Sequence, residues 1–443
     1  MNKDRLFWIW LSRRLGPGCR HYMALLERFH TPYEVFEASE DSLVEVCPEL
    51  TARDLAALAD KNLDEAYEIV GYCSRNGISL LCYDDPRYPL TYRSLVDPPL
   101  LLYYRGKLPD FQTKLHIAVV GTRKMSEYGR RTAYKIAYEL AAAGTVIVSG
   151  MALGIDSVAA CAALEAGGTT VAILGSGIDV PYPTEHAKFQ EIIESRGVVM
   201  TEFAPGVRPL GHHFPMRNRL ISGLAQGTLI VDADEGSGAL ITADRALAQG
   251  RALYAVPANI GDRNASGTNR LIREGAHVVL AAEDILNEYK LLYRGAIRFG
   301  QSATLGRKSD YNGEALARMG VYSRTVGGNS RIPAQSGIDT SDAPSAPTAP
   351  TRAPTPIRKA KAPVKEEQVA PTATVTADRS AELLATMGER EKRVFEAIPM
   401  DNPIAIDRLL STGYGMGELL AALSLLEIKG LIQTLPGGLY CRA

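Results

Sequence analysis

The 443-residue sequence lacks several features that define whole classes of protein. Its six cysteines are scattered without a CxxC pair, which predicts reduced thiols and argues against a zinc site. No run approaches the roughly 20 apolar residues of a membrane-spanning helix, and the apolar LFWIWL segment near the N-terminus is too short for a secretory signal. We therefore expect a cytoplasmic protein without membrane contact, metal or cofactor.

The sequence also has almost no net charge, at −1. A nucleic-acid-binding surface would therefore have to be a local cluster of cations. The apolar content of 46% is that of a globular protein. Because the chain is too long for one ordinary core, we expect two or three domains.

Residues 1–75 are predicted to form a small helical domain. Gly16-Pro17-Gly18 precedes one apolar-periodic helix, and Thr51 is the predicted N-cap of another. Domains of this kind often hold DNA or a protein partner. The alternative is a set of helices that simply packs on the next domain.

Residues 76–296 alternate strand-like and helix-like segments. Six β-branched runs, each followed by turn residues and a helical pattern, are HIAVVG, TVIVSG, TVAILG, GVVMTE, TLIVDA and ALYAVP. They predict a doubly wound, mostly parallel α/β sheet covered on both faces. Such sheets bind ligands at the carboxyl ends of their strands.

The alternation ends near residue 296. Residues 297–381 include a stretch rich in Pro, Ala and Thr, and they are predicted to form an extended, disordered linker. Residues 382–443 predict three helices and a hairpin turning at Pro436-Gly437-Gly438, which is the plan of a winged helix. Its presumed recognition helix has one basic residue, Lys429, so a protein contact or regulatory role is at least as well supported as DNA reading.

The turn after HIAVV lacks the second and third glycines of a dinucleotide-binding fingerprint. Gly121 permits a tight turn, Thr122 follows, and Arg123 offers a bidentate partner for phosphate oxygens. Ser126 is the predicted N-cap of the next helix, whose free backbone N–H groups would face an anion. The alternative is a purely structural strand–turn–helix.

Other small-residue turns follow later strands. Asp156 in one of them lacks an evident His or Ser partner, which argues against a catalytic base. The residues that these turns contribute to predicted DNA contacts are Gly150, Gly154, Ser237, Gly238, Thr242 and Asn269. Several anion-ready turns at one sheet edge suit a nucleic-acid backbone better than one mononucleotide.

The stretch HHFPMRNRLISGLAQG carries the sharpest signal. Phe214 precedes a proline, so we expect it on an extended or turn segment rather than within a helix. Arg217, Asn218 and Arg219 then begin a helix. An aromatic ring beside two cations and an amide suits single-stranded DNA, because the ring stacks on a base while the cations bind phosphates. The alternative is a core phenylalanine with arginines in structural ion pairs.

Six ordered motifs between Tyr83 and Leu286 resemble the DNA-processing protein A (DprA, or Smf) family. They are VVGTRKMSEYG, SGMALGID, YPTEH, FPMRNRLISGL, SGALITA and SGTNRLIREGA. The resemblance implies an extended Rossmann-like fold between a SAM- or helix-hairpin-helix-like N-terminal domain and a C-terminal winged helix. It also implies phosphate contact at Arg123 and base contact at Phe214, with Arg217, Asn218 and Arg219 beside it.

The resemblance further implies a function without catalysis. The family binds single-stranded DNA, protects incoming DNA during natural transformation and loads the RecA recombinase onto it. It acts as a dimer, here expected to form through the Rossmann-like domain.

Four positions depart from the family pattern. Cys161 replaces a histidine, His186 an asparagine and Ala258 a glycine, whereas Gly211 stands where a lysine is common, three residues before Phe214. The change at Gly211 removes a phosphate contact, so we expect an altered affinity or salt dependence.

The main alternative function is that of a nucleoside-monophosphate phosphoribohydrolase on a related scaffold. Those enzymes use a PGGxGT loop followed closely by a catalytic glutamate. The corresponding loop here reads EGSGALITADRAL, with neither Pro-Gly-Gly nor a glutamate in the following turn, which argues against hydrolysis. A third possibility is an interaction scaffold whose strand-end loops hold protein.

Overall fold

The structure is a computed structural model that describes residues 4–298, 314–321 and 389–442, the last with gaps at 400–403, 410–413, 415–418, 420–421, 424, 428, 430 and 436–438. Among these residues, no helix combines the length and apolar character needed to cross a membrane. The same residues contain no group of three or more His, Cys, Asp or Glu side chains placed to hold a metal ion.

The N-terminal segment is helical, as predicted. Its helices are α1 (Asp4–Leu15), α2 (Tyr22–Phe29), α3 (Pro32–Glu37), α4 (Glu40–Val46), α5 (Ala52–Ala59) and α6 (Asp64–Arg75). Thr51 caps α5 as expected, because its hydroxyl accepts the Asp54 N–H at 3.2 Å within a capping box. Trp8 and Trp10 lie in the same apolar cluster as Ile117 in the sheet. These helices therefore pack directly on the α/β core.

The sheet contains the six predicted strands and three more at its edges. Its strands are β1 (Ser79–Cys82), β2 (Leu101–Gly106), β3 (His116–Val120), β4 (Val146–Ser149), β5 (Thr170–Ile173), β6 (Val198–Thr201), β7 (Gly227–Ile230), β8 (Ala252–Ala255) and β9 (His277–Val278), in the order β1-β2-β6-β5-β4-β3-β7-β8-β9. Neighbours from β6 to β9 run parallel, whereas β2 is antiparallel to β6 and to β1. The predicted mostly parallel α/β class is confirmed.

Helices cover both faces of this sheet. They are α7 (Leu90–Arg93), α8 (Glu127–Ala142), α9 (Ile155–Glu165), α10 (Ala187–Arg196), α11 (His213–Leu224), α12 (Gly238–Ala248), α13 (Ser266–Arg273) and α14 (Ala282–Glu288), with 3-10 turns at Thr184–His186 and Arg263–Ala265. From β3 the chain moves outward through β4, β5 and β6, then returns to the other side of β3 as β7. This reversal creates a topological switch point between β3 and β7, where such sheets form a crevice.

Part of the predicted linker is folded. Residues 314–321 include helix α15 (Glu314–Arg318), which contacts α9. Leu316 and Met319 are buried in the main core, and Arg318 lies 3.3 Å from Glu165. The prediction of disorder across 297–381 is wrong here, because the apolar side chains of EALARMGV fall on one helical face. Apart from residues 297–298 and 314–321, the predicted linker lies outside the described residues.

The C-terminal region has its own apolar cluster. Its described elements are α16 (Glu389–Ala397), β10 (Ile404–Ala405), α17 (Ile406–Leu409), β11 (Ile432–Leu435) and β12 (Leu439–Arg442). The predicted hairpin is confirmed by the antiparallel pairing of β11 and β12, although its turn at 436–438 lies outside the described residues. Strand β10 also pairs with β12, and Lys429 forms an ion pair with Glu391. The one basic residue of the presumed recognition helix is thus engaged within the domain.

Candidate nucleic-acid interface

A cleft of about 700 Å³ opens at the switch point. Its walls come from the loops after β3, β4, β5, β6, β7 and β8 and from the N-terminal parts of α11 and α12. The predicted site residues that line it are Gly121, Thr122, Arg123, Phe214, Arg217, Asn218, Ser237, Gly238 and Thr242. The fold therefore brings together residues that are far apart in the sequence.

Phe214 lies in the first turn of α11, not on an extended segment as predicted. The following Pro215 is tolerated because the N–H groups of a first helical turn have no intrahelical acceptor. The guanidinium carbons of Arg123 and Arg217 lie 5.3 and 5.9 Å from the centroid of the Phe214 ring. The ring of Tyr182 lies 5.1 Å away, tilted by 38°. The cleft thus contains a pair of aromatic rings flanked by two cations.

Arg217 is a buried cation at the floor of the cleft. It is 5% exposed, and its Nη1 donates to the carbonyl of Gly150 at 2.9 Å and to that of Ile173. Burial lowers the pKa of Arg217 to about 10, while the nearby Asp156 carboxylate opposes that shift. Asp156 in turn accepts the Gly150 N–H at 3.0 Å. Arg217 therefore joins the ends of β4 and β5 as well as lining the cleft.

The N-terminus of α8 differs from the prediction. Ser126 caps the helix as expected, with its hydroxyl accepting the Gly129 N–H at 2.9 Å. However, the Ser126 N–H donates to the carboxylate of Asp232 at 2.7 Å, and Asn264 donates to the same oxygen at 3.2 Å. Asp232 is 3% exposed. An internal carboxylate therefore lies where a phosphate was expected, and Ser126 contributes a cap rather than an anion contact.

The N-terminus of α12 lines the cleft directly. Ser237 caps this helix by accepting the Ala239 N–H at 3.3 Å, and Gly238 is exposed. Thr242 is 2% exposed and lines the cleft one turn further along. Within the described part of the chain its hydroxyl makes no hydrogen bond. A helix start with a free hydroxyl beside it is a ready binding site for an anion.

Gly150, whose N–H and carbonyl are bonded to Asp156 and Arg217, and three other predicted residues lie outside the cleft lining. Arg219 is buried and paired with Glu202 and Asp97, as the structural alternative had it. Asn269 donates to the Ala258 carbonyl at 2.9 Å and accepts its N–H at 3.2 Å, so its amide closes a loop. Gly154 precedes α9 with φ at 86°, against the Thr122 carbonyl. These residues support the cleft without facing it.

Four cleft residues with a cationic, amide or aromatic side chain were absent from the predicted site. They are Lys124, Tyr182, Arg263 and Asn264. Tyr182 belongs to the YPTEH motif, and that motif was the signal available in the sequence. Arg263 is exposed, and its Nε lies 3.8 Å from Oδ2 of Asp234, which also lines the cleft. Gly211 lines the cleft, and a Cβ at this position would meet nothing within 4 Å.

The doubly wound sheet and the cationic, aromatic cleft at its switch point define a Rossmann-like fold with a candidate ligand site where such sheets form one. Comparison with known protein families supports this description of the fold. Residues 79–290 match the family model of DNA recombination-mediator protein A, and residues 366–438 match that of the DprA winged helix domain. The chain belongs to the DNA-processing protein A (DprA/Smf) family.

Individual relatives show the extent of the similarity. The chain is 41% identical over 206 residues to the DNA processing protein DprA of Streptococcus pneumoniae, covering 46% of this chain and 72% of that protein. It is 35% identical over 244 residues to DprA of Bacillus subtilis, covering 54% and 82%. The X-ray structure of the S. pneumoniae protein superposes with a TM-score of 0.56 at 32% identity, covering 64% of this chain and 97% of that one.

Proposed function

We propose that the cleft binds single-stranded DNA, with Phe214 stacking on a base and Arg123 contacting a phosphate. The observation that carries the proposal is the position of the Phe214 ring, within 6 Å of two guanidinium groups in an open cleft. A single strand offers unstacked bases next to phosphates, and this combination binds both. A duplex hides its base faces and would gain less.

Phosphate binding is divided between two walls of the cleft. Arg123 and Lys124 are exposed on the β3 side, and the start of α12 with Thr242 lies on the β7 side. Arg217 donates to the backbone carbonyls of Gly150 and Ile173 and to the side-chain oxygen of Asn218, so it holds the floor in place. We infer that a strand passes between the walls with a base on Phe214.

The cleft is proposed to bind without catalysis. Asp156 is buried and its carboxylate accepts the Gly150 N–H, so it is placed to hold a loop. Release of a free base from a nucleoside monophosphate by purified protein would instead support the phosphoribohydrolase alternative. Chromatography of such a reaction separates the two.

We further propose the cellular role that the family resemblance implies. The protein would protect incoming single strands during natural transformation and load RecA onto them as a homodimer formed through the α/β domain. Light scattering checks the dimer. A RecA strand-exchange assay on coated single strands checks the loading.

The central experiment is fluorescence anisotropy with labelled oligothymidylate and a duplex of equal length across a salt series. Arg123→Ala should weaken binding and reduce the slope of log K against log salt by about 0.7, the value for one phosphate on a single strand. Phe214→Ala should cost about 1–3 kcal/mol and leave the slope unchanged.

Matched controls lie outside the cleft. Arg75→Ala removes the same charge from the exposed end of α6, and Tyr67→Ala removes an exposed ring from the same helix. Both should bind like the wild type. Equal slopes for Arg123→Ala and Arg75→Ala would refute the phosphate contact, and equal binding of single strand and duplex would refute the proposed ligand.

A further inference from the structure

Helix α11 carries the cleft residues on one side and a buried arginine on the other. Arg219 is 3% exposed and donates to Oε2 of Glu202 through Nη2. Its Nε lies 3.4 Å from Oδ2 of Asp97. Because breaking a buried ion pair leaves an uncompensated charge, these contacts hold α11 firmly on the side away from Phe214.

Glu202 also joins α11 to the N-terminal helices. Its other oxygen, Oε1, accepts the N–H of Gly18 at 3.2 Å, in the turn between α1 and α2. A Cβ at Gly18 would lie 3.5 Å from Nε and Nη2 of Arg219 and 3.6 Å from Cγ of Met216. The turn therefore lies directly against the guanidinium.

A hollow of about 150 Å³ adjoins this contact. It separates Ser12 and Arg13 of α1 from His213, the first residue of α11. The contacts among Gly18, Glu202 and Arg219 lie beside this hollow and join the turn between α1 and α2 directly to α11.

We propose that Glu202 and Arg219 are positioning residues that couple the N-terminal helices to the cleft, so that the turn at Gly16–Gly18 sets the position of the Phe214 ring. This inference rests on the proposed binding of single-stranded DNA. By linkage, docking of the turn and binding of DNA strengthen each other by the same factor. Because neither residue contacts phosphate in this arrangement, loss of the coupling changes affinity without changing the salt slope.

Two glycines of the turn provide a matched pair of variants. Gly16 and Gly18 both have positive φ, at 79° and 72°, a conformation that asparagine tolerates better than most residues. A Cβ at Gly16 would meet nothing within 4 Å, whereas a Cβ at Gly18 would contact Arg219. Gly18→Asn should weaken binding of oligothymidylate about fivefold or more with an unchanged salt slope, and Gly16→Asn should bind like the wild type.

Amide hydrogen exchange distinguishes coupling from a purely structural role of Glu202 and Arg219. A structural role alone would not make exchange in the turn at Gly16–Gly18 depend on DNA. Oligothymidylate should slow amide exchange in the turn at Gly16–Gly18 of the wild type. Glu202→Gln, which keeps an acceptor but loses the charge, should reduce that protection. Equal affinities of the two asparagine variants, or no DNA-dependent protection in the wild type, would overturn the coupling. Failure of the wild type to bind oligothymidylate would overturn the proposed function itself.

Discussion

Helices α8 and α12 begin side by side at the switch point, but the surroundings of their N-termini differ. Helix α8 follows β3 and is capped by Ser126, whereas α12 follows β7 and is capped by Ser237. The first is closed by the Asp232 carboxylate, and the second lines the cleft beside the Thr242 hydroxyl. Equivalent local signals thus serve stability in one helix and are available for ligand binding in the other.

The difference comes from where β7 leads. Asp232 follows β7 closely and reaches across to the start of α8, because β3 and β7 are neighbours in the sheet. The chain then continues past Asp234 to α12, whose own first turn meets no comparable side chain among the described residues. The segment after β7 therefore supplies the carboxylate at the N-terminus of α8, the helix after β3. The N-terminus of α12, the helix after β7 itself, stays accessible from the cleft.

The largest expected effect is at Asp232. Asp232→Ala leaves the Ser126 N–H and the Asn264 amide without their acceptor, and it should lower the free energy of unfolding by about 2–4 kcal/mol. Urea denaturation measures this. Asp232→Asn keeps an oxygen in place and is the matched control, with a smaller loss. If both variants were as stable as the wild type, the two helix starts would not differ as described.

Gly129 and Gly238, in the first turns of α8 and α12, test the difference between the two helix N-termini through packing. A Cβ at Gly129 would lie 2.3 Å from Oδ2 of Asp232, whereas one at Gly238 would meet nothing within 4 Å. Gly129→Ala should therefore cost about 1–3 kcal/mol of stability, since overpacking forces neighbours to shift. Gly238→Ala should cost none, and thermal denaturation distinguishes them. A stable Gly129→Ala would show that the carboxylate can move away.

A substitution at Thr242 tests whether the N-terminus of α12 binds DNA, through affinity rather than through stability. Thr242→Val removes a hydroxyl that makes no hydrogen bond within the described chain, so folding should be unaffected. Affinity for oligothymidylate should fall by about 0.5–1.5 kcal/mol if that hydroxyl donates to a phosphate. Thr242→Ser keeps the donor and should bind like the wild type. Unchanged binding by the valine variant would remove Thr242 from the interface.

The smallest effect concerns pH. Burial raises the pKa of Asp232, and hydrogen bonds from Ser126 and Asn264 offset part of that rise. The stability this carboxyl contributes is therefore fully present below its unfolded pKa of about 4 and is lost as pH rises through the higher folded value. The advantage of the wild type over Asp232→Asn in urea should shrink from pH 4 to pH 7. A growing advantage would contradict the raised pKa.

Local patterns predicted the elements well and their partners poorly. Ser126 was predictable as a cap from its position after a strand and before an amphipathic helix. Its N–H partner, Asp232, lies over a hundred residues away and becomes a neighbour only through the pairing of β3 with β7. The same limit applies to Arg219, whose charge looked available for DNA until Glu202 was placed beside it.

Two sequence predictions were wrong and two antiparallel strands were missed, each for a physical reason. The restriction before proline placed Phe214 outside a helix, yet a first helical turn accommodates proline without losing a hydrogen bond. The Pro-rich composition of the predicted linker hid the apolar face of residues 314–321, which is short enough to be outweighed in a long window. The antiparallel β1 and β2 were missed because neither stands in the strand–helix alternation.

The shared core of the N-terminal helices and the sheet has a consequence for cooperativity. The chain has two tryptophans, Trp8 and Trp10, and both are buried in the cluster that contains strand residues of the sheet. Their fluorescence should therefore report the melting of the whole α/β core as one transition, superimposable on its circular dichroism. We therefore expect the first helices and the central strands to unfold as a single thermodynamic unit, although their sequences suggest two modules.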